Sequence, residues 1–453
     1  MMTLFRFATI TTVLALASAA TAQTPPAPSV SATPTHRALA AGYKAVTICS
    51  AVFTAREAGA DRAPASVEAN ELVGIYPELQ PLIGAMPVDM MAEAVSVAWD
   101  EAAPPRIATY TRGRGCVIEP MGATQTPRRL PLARSTSAQP LLTAAPRGDA
   151  GALNSAVSRA FAGGFGDGVN TTGVVVLQAG RIVAERYAAD FGPNVPQRTW
   201  SVAKSLAGTL IGAAVQRGEI DVTATAAIAN WRGEGDPRGA ITLEALMRMS
   251  SGLTSDTAGN RTDALYFGGT AVDEQAPGWP LLAPVGSTYR YANNDTLLAT
   301  MAIAPTFEAH PPAELFDRLG MTHTFAETDW RGNYILSSQV WTTARDLARF
   351  GQLYVQDGVW EGERLLPENW RAFVSTTSGP QPPTGAFGYG ATFWVMNRSE
   401  GVPADAFAAF GNRGQYVVIV PSRNLVIVRR GEDPAGKGFD IAAFTRDVLA
   451  ALD

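Results

Sequence analysis

Ser201 and Lys204 lie one helical turn apart in Trp200-Ser201-Val202-Ala203-Lys204-Ser205, at the head of an apolar run that reaches Gly218. A serine hydroxyl is a weak nucleophile until a neighbouring group takes its proton. In a helix, positions i and i+3 share a face, which sets the lysine amine beside that hydroxyl. A lysine withdrawn from water gives up its proton and becomes a base, whereas arginine stays protonated. The chain carries 36 lysines and arginines, but its lysines are Lys44, Lys204 and Lys437, so lysine at position 204 is informative. A helix start also offers unpaired N–H groups and a positive field where negative charge would develop. By itself, Ser-x-x-Lys is short enough to arise by chance.

Two further segments offer partners. Tyr291-Ala292-Asn293 ends the stretch that begins at Pro284. A phenol beside a lysine can share its proton and pass it to a leaving group, and Asn293 can hold the lysine or a substrate carbonyl. The bland alternative is a loop with a core tyrosine. Gly411-Asn412-Arg413-Gly414-Gln415 opens the strand-like run QYVVIV. Gly414 would let a substrate approach the strand backbone, and the N–H of Gln415, paired with that of Ser201, could form an oxyanion hole. Alone, the segment reads better as an ordinary glycine-containing strand entry.

These groups need a scaffold. Gly173–Gln178 and Arg181–Tyr187, joined by Ala179-Gly180, read as a β-hairpin. Gln415–Val420 and Asn424–Arg430 read as a second one. Helical spacing runs through Asn154–Phe161, Trp200–Gly218, Thr343–Tyr354 and Ile441–Leu452. Strand pairs at both ends with helices between predict an α/β (α+β) fold, an antiparallel sheet flanked by helices with a helical subdomain.

The rest of the chain sets the frame. Its 453 residues, roughly three domain-lengths, are 46% hydrophobic and 17% charged, enough for a large core. A net charge of -5 gives no nucleic-acid signature. Residues 1–22 read as a signal peptide, with Arg6, the apolar stretch Phe7–Ala17 and Ala20-Thr21-Ala22 before Gln23. The stretch is short for a bilayer span and no later segment makes a convincing one, so no stable membrane anchor is expected. Residues 23–35 form a linker, 36–120 a small N-terminal region with a helix at His36–Thr54 and extended chain at Ala108–Glu119, 121–150 a second linker, and 151–453 the main domain. Cys49 and Cys116 are either a disulfide, which export would favour, or two buried thiols. Location is expected to be periplasmic or secreted; the sequence leaves the oligomeric state open.

The three motifs, in this order and spacing, resemble the serine β-lactamase and penicillin-binding-protein superfamily. So do Leu243–Leu253 (LEALMRMSSGL), Pro284–Asn293, Trp341–Gly351 (WTTARDLARFG) and Gly388-Tyr389-Gly390. The likeness runs from about Gly151 to the C-terminus. Within it, the chain is most similar to class C β-lactamase-like hydrolases, and the Trp200–Ser205 segment and the Gly-x-x-Gly-Gln ending resemble 6-aminohexanoate-dimer hydrolases and related esterases. The resemblance implies an acyl-serine hydrolase acting on a small-molecule ester or amide. Ser201 would be nucleophile, Lys204 base and Tyr291 proton shuttle. Asn293, Asn412, Gly414 and Gln415 would serve the substrate and oxyanion. No metal or organic cofactor is implied.

One departure bears on substrate. Where the family usually has Lys or His the chain has neutral Asn412, so a cation for a substrate carboxylate is missing unless Arg413 supplies it. Adjacent strand residues point to opposite faces, and the sequence does not say which of the two reaches the cleft. This weakens a β-lactamase or D,D-peptidase reading. A Ser-His-Asp triad is disfavoured because His36, His310 and His323 are scattered and no Gly-x-Ser-x-Gly elbow is present. The rival from another class is a penicillin-fold binding protein without turnover. Tyr266, Trp279, Trp330 and Trp394 are candidate cleft aromatics, and the 36–120 region has no functional reading.

Overall fold

The structure is a computed structural model and describes residues 33–123, 129–135, 138–254 and 262–452. The expected signal peptide lies outside the described residues. The chain opens with α1 (Pro34–Glu57), capped by the Thr33 hydroxyl, which accepts from the His36 N–H, with Pro34 at the first helical position. By length and apolarity α1 would suit a bilayer, contrary to the sequence expectation, but 94% of its most apolar window is buried inside the protein. It packs against a four-stranded antiparallel sheet, β1 (Val88–Met90), β2 (Ala94–Val97), β3 (Arg106–Thr111) and β4 (Gly115–Ile118). A disulfide between Cys49 on α1 and Cys116 on β4, Cα atoms 6.1 Å apart, joins the two layers.

The main body begins with α2 (Ala150–Phe161), the hairpin β5 (Thr171–Gln178) and β6 (Arg181–Tyr187), and the short β7 (Gln197–Arg198). Then comes α3 (Val202–Gln216), followed by α4 (Asn293–Ile303), β8 (Phe325–Ala326), β9 (Val340–Thr342) and α5 (Ala344–Val355). The C-terminal part adds β10 (Gly388–Tyr389), β11 (Trp394–Val395), β12 (Phe407–Gly411), β13 (Gln415–Val420), β14 (Leu425–Gly431) and α6 (Ile441–Ala451). Seven of these strands form one antiparallel sheet in the order β10-β11-β12-β13-β14-β5-β6. The two hairpins read from the sequence therefore meet in one sheet, where β14 pairs with β5.

Why the central strands read as unbroken apolar runs is visible in the packing. Side chains alternate across a strand, and here both faces are covered. Val175 and Leu177 of β5, Val417 and Ile419 of β13, and Val426 and Val428 of β14 face the large core that holds α1, α3 and α5. Val174 and Val176, Val418 and Val420, and Leu425 and Ile427 face the cluster built by α2 and α6. Burial at about 25 cal/mol per Å2 on both sides is what holds this sheet. The large core is continuous with the N-terminal region: Tyr43, Ile48 and Cys49 belong to the same cluster as Trp200 and Phe267.

Candidate active site

Ser201 caps the N-terminus of α3 at the sharp turn out of β7. The residue before it, Trp200, has φ +50°, a left-handed conformation costly for a bulky side chain. The Arg198 guanidinium stacks over the Trp200 ring at 3.8 Å, and its Nη2 donates to the Ser338 hydroxyl at 2.8 Å. The Arg198 stack, itself anchored to Ser338, holds this strained turn in place.

One turn along α3, the Lys204 side chain is 1% exposed. Its Nζ lies 3.1 Å from Ser201 Oγ, 2.5 Å from Asn293 Oδ1 and 2.9 Å from the Ser337 carbonyl. A neutral amine has two N–H donors and one lone pair. Asn293 Oδ1 and the Ser337 carbonyl only accept, so they take both N–H groups and leave the lone pair for the Ser201 O–H. Burial pushes the Lys204 pKa down to about 7. The Asn293 Nδ2 lies 3.5 Å from Thr262 Oγ1, which sets its carbonyl oxygen toward the lysine. Asn293 is the first residue of α4, so a second helix N-terminus points at the same place.

Tyr291, in the loop before α4, stands on the same cleft wall as Ser201, its ring centre 5.4 Å from that of Trp394. Its ring centre is 5.2 Å from Lys204 Nζ. Burial raises the phenol well above its ordinary pKa. The two neighbours are therefore pushed in opposite senses: the amine toward release of its proton, the phenol toward keeping one. Ser201, Tyr291, Asn293 and Asn412 open together on a cleft of about 380 Å3. That is within the range of small-molecule sites, roughly 300–1,000 Å3.

The strand-end motif is placed differently from the sequence expectation. Gly411, the last residue of β12, is the one that meets the nucleophile. A Cβ built there would stand 2.3 Å from the Thr199 carbonyl and 3.2 Å from Ser201 N, so only glycine fits. Asn412 follows it on the cleft wall. Gln415 sits opposite Gly411 in the β12–β13 ladder, fully buried. Its side chain accepts from Arg430 Nε at 2.6 Å and donates to the Arg413 and Gly431 carbonyls. Arg430 in turn donates to the Arg198 and Thr342 carbonyls, so the Gln415 side chain braces the strand before Ser201. The expected role of Gly414 is corrected too. A Cβ there would collide with Arg429 Nη1 and the Asp433 carboxylate, so the glycine clears space for a buried ion pair and not for a ligand.

Arg413 is turned out of the cleft as well. Its guanidinium donates to the Asn70, Glu71 and Val73 carbonyls and pairs with Glu432 at 3.0 Å. Of the aromatic candidates, Tyr266 and Trp394 line the cleft, while Trp279 and Trp330 do not. Tyr76, Trp200, Ser338 and Phe410 line it without having been singled out. Tyr76 carries no local signal, because its place depends on how the N-terminal region docks. Among the described residues no group of His, Cys, Asp and Glu could hold a metal ion.

The family model described as "Beta-lactamase" matches residues 157–450. The 6-aminohexanoate-dimer hydrolase of Paenarthrobacter ureafaciens is 24% identical over 299 residues, 58% of this chain and 73% of that protein. The solved structure of a penicillin-binding protein homologue from Caulobacter crescentus is 17% identical, with TM-score 0.53, over 68% of this chain and 98% of the other. A class C β-lactamase solved in complex with cefoxitin is 14% identical, with TM-score 0.50, over 66% of this chain and 98% of the other. These structural likenesses speak for the fold. With the family model spanning most of the chain, this protein belongs to the β-lactamase family, a family of β-lactamase-fold hydrolases.

Proposed function

We propose that the chain is a serine hydrolase that cleaves an uncharged ester or amide through an acyl-Ser201 intermediate. Lys204 Nζ takes the Ser201 proton as Oγ attacks the substrate carbonyl carbon. The N–H groups of Ser201 and Asn412 hold the oxyanion, each such donor contributing roughly 2.7–4 kcal/mol to the transition state in enzymes where one has been removed. On collapse the C–O or C–N bond breaks and the Tyr291 O–H protonates the leaving atom. The Lys204 ammonium then gives its proton to the Tyr291 oxygen, restoring both the phenol and the neutral amine. Water then adds to the acyl carbon, giving one proton to the same relay, and the carboxylic acid leaves with Ser201 restored. No step calls on a metal or cofactor.

A single observation carries this reading. A buried amine has two pure acceptors for its N–H groups, and its remaining position faces a hydroxyl that opens on a cleft. The retreat of Arg413 and the neutrality of Asn412 favour neutral substrates over β-lactams and peptide termini, which carry carboxylates. The export reading rests on residues 1–22 and is supported by a disulfide of the kind that persists in oxidising compartments. The test is a panel of p-nitrophenyl acetate, a linear amide dimer and a cephalosporin, given to the wild type and to Ser201→Ala. Ester turnover that vanishes in the variant is expected. Turnover that survives in Ser201→Ala, or a wild type inert to all three, overturns the proposal.

A further inference from the structure

The family match begins at residue 157, yet one cleft residue comes from well before it. Tyr76 lies in the segment between the helix Pro64–Asn70 and Gln80. Its ring meets Trp200 edge-on at 6.4 Å, Phe267 at 6.2 Å and Tyr43 of α1 at 6.1 Å. This segment is tied to the catalytic body through its first half and closed on itself at the other end. Arg413, next to the cleft residue Asn412, holds the carbonyls of Asn70, Glu71 and Val73, and the Ala435 N–H donates to the Gly74 carbonyl at 2.7 Å. On the other side Gln80 closes a turn, donating to the Leu72 carbonyl and accepting from the Ile75 N–H. Tyr76 is thus a fixed wall of the site.

The cleft that results has an unusual lining. Six rings face it, Tyr76, Trp200, Tyr266, Tyr291, Trp394 and Phe410, with neutral Ser338 and Asn412 between them. Among the described residues no charged side chain lines it. The leaving group must reach the Tyr291 hydroxyl, which places it toward Tyr291 and Trp394. The acyl portion then lies against the opposite rings. Aromatic surfaces favour apolar or flat groups, and the described lining sets no cation against a carboxylate.

We propose that Tyr76 is a specificity-determining residue contributed by the N-terminal region, which with Trp200 and Tyr266 receives an uncharged, apolar acyl group. This rests on the serine-hydrolase reading above. The experiment measures kcat/KM for p-nitrophenyl acetate, p-nitrophenyl phenylacetate and the mono-p-nitrophenyl ester of glutaric acid. The proteins are the wild type, Tyr76→Ala and Tyr76→Phe, each checked for its fold by circular dichroism. In the wild type the phenylacetyl ester should exceed the carboxylate-bearing one at least about 10-fold, the low end of what an apolar pocket discriminates. Tyr76→Ala should lower kcat/KM for phenylacetate about 10-fold, through KM, and for acetate by a clearly smaller factor. Tyr76→Phe keeps the ring and should behave as wild type. Equal losses on acetate and phenylacetate, or preference for the carboxylate ester, overturn this inference while the hydrolase reading stands. A wild type inert toward all three esters overturns both.

Discussion

Replacing Asn293 by Asp tests the claim that Lys204 acts as a neutral base. The change is isosteric and puts a carboxylate oxygen where Oδ1 now stands, 2.5 Å from Nζ. At an effective dielectric constant of about 20, unit charges at that separation attract by about 7 kcal/mol. Desolvation of the new carboxylate offsets much of this, and the net effect of an opposite charge on a neighbouring pKa is roughly one to three. Taking roughly two as the working value, the lysine moves from about 7 to roughly 9. At pH 7 the neutral fraction then drops from about one half to about one hundredth, and kcat/KM for an activated ester drops roughly 50-fold by the same linkage. At pH 9 the loss shrinks to roughly twofold. The assay is p-nitrophenyl ester hydrolysis between pH 6 and 10, where the wild-type profile should rise through about pH 7 and level off. A loss in Asn293→Asp that is equal at every pH, with the rise left near 7, would refute the reasoning.

Other outcomes follow from the same geometry. The buried amine also governs stability. Its folded pKa of about 7 lies below the unfolded value of about 10.4, so between those limits the unfolded chain keeps a proton that the folded chain has lost, and stability rises with pH. Lys204→Met removes this dependence, and its stability advantage over wild type should narrow by up to about 1.4 kcal/mol per pH unit from pH 7 to 10, read by urea unfolding at two pH values; a constant gap contradicts the shift. Replacing both Cys49 and Cys116 by Ser opens the closed loop that their sequence separation of 67 creates. The loss expected from chain entropy is about 4 kcal/mol, visible as a lower unfolding midpoint, and an unchanged midpoint would mean the bond contributes little. Gln415→Ala takes away a brace of Arg430 and not a substrate contact, so thermal stability should fall with KM for a small ester left within about twofold; a raised KM with stability intact would return Gln415 to the cleft.

How much of this was legible in the sequence depends on how local each feature is. The Ser201–Lys204 pairing is set by helical geometry alone, and the hairpins were readable because Ala179-Gly180 and the Pro421–Asn424 turn interrupt long apolar runs. Both are found as expected. β12, Phe407–Gly411 in AFAAFG, escaped because small residues and glycine hide a strand whose two neighbours supply the packing. Motif logic singled out Gly414 for close approach; the turn puts Gly411 against Ser201, a contact between strand and helix that no spacing encodes. The direction of Arg413 and the arrival of Tyr76 share one cause. Both depend on where residues 70–76 dock, and that is decided by the continuous core formed with α1.

Intact-mass spectrometry of the protein quenched soon after mixing with p-nitrophenyl acetate bears most directly on the central claim, followed by peptide mapping. A transient gain of one acetyl group on the peptide bearing Ser201 is expected, absent from Ser201→Ala, and longer-lived where deacylation is slowed in Tyr291→Phe. Ester turnover with no adduct at any time, or an adduct on another residue that Ser201→Ala leaves in place, would contradict it.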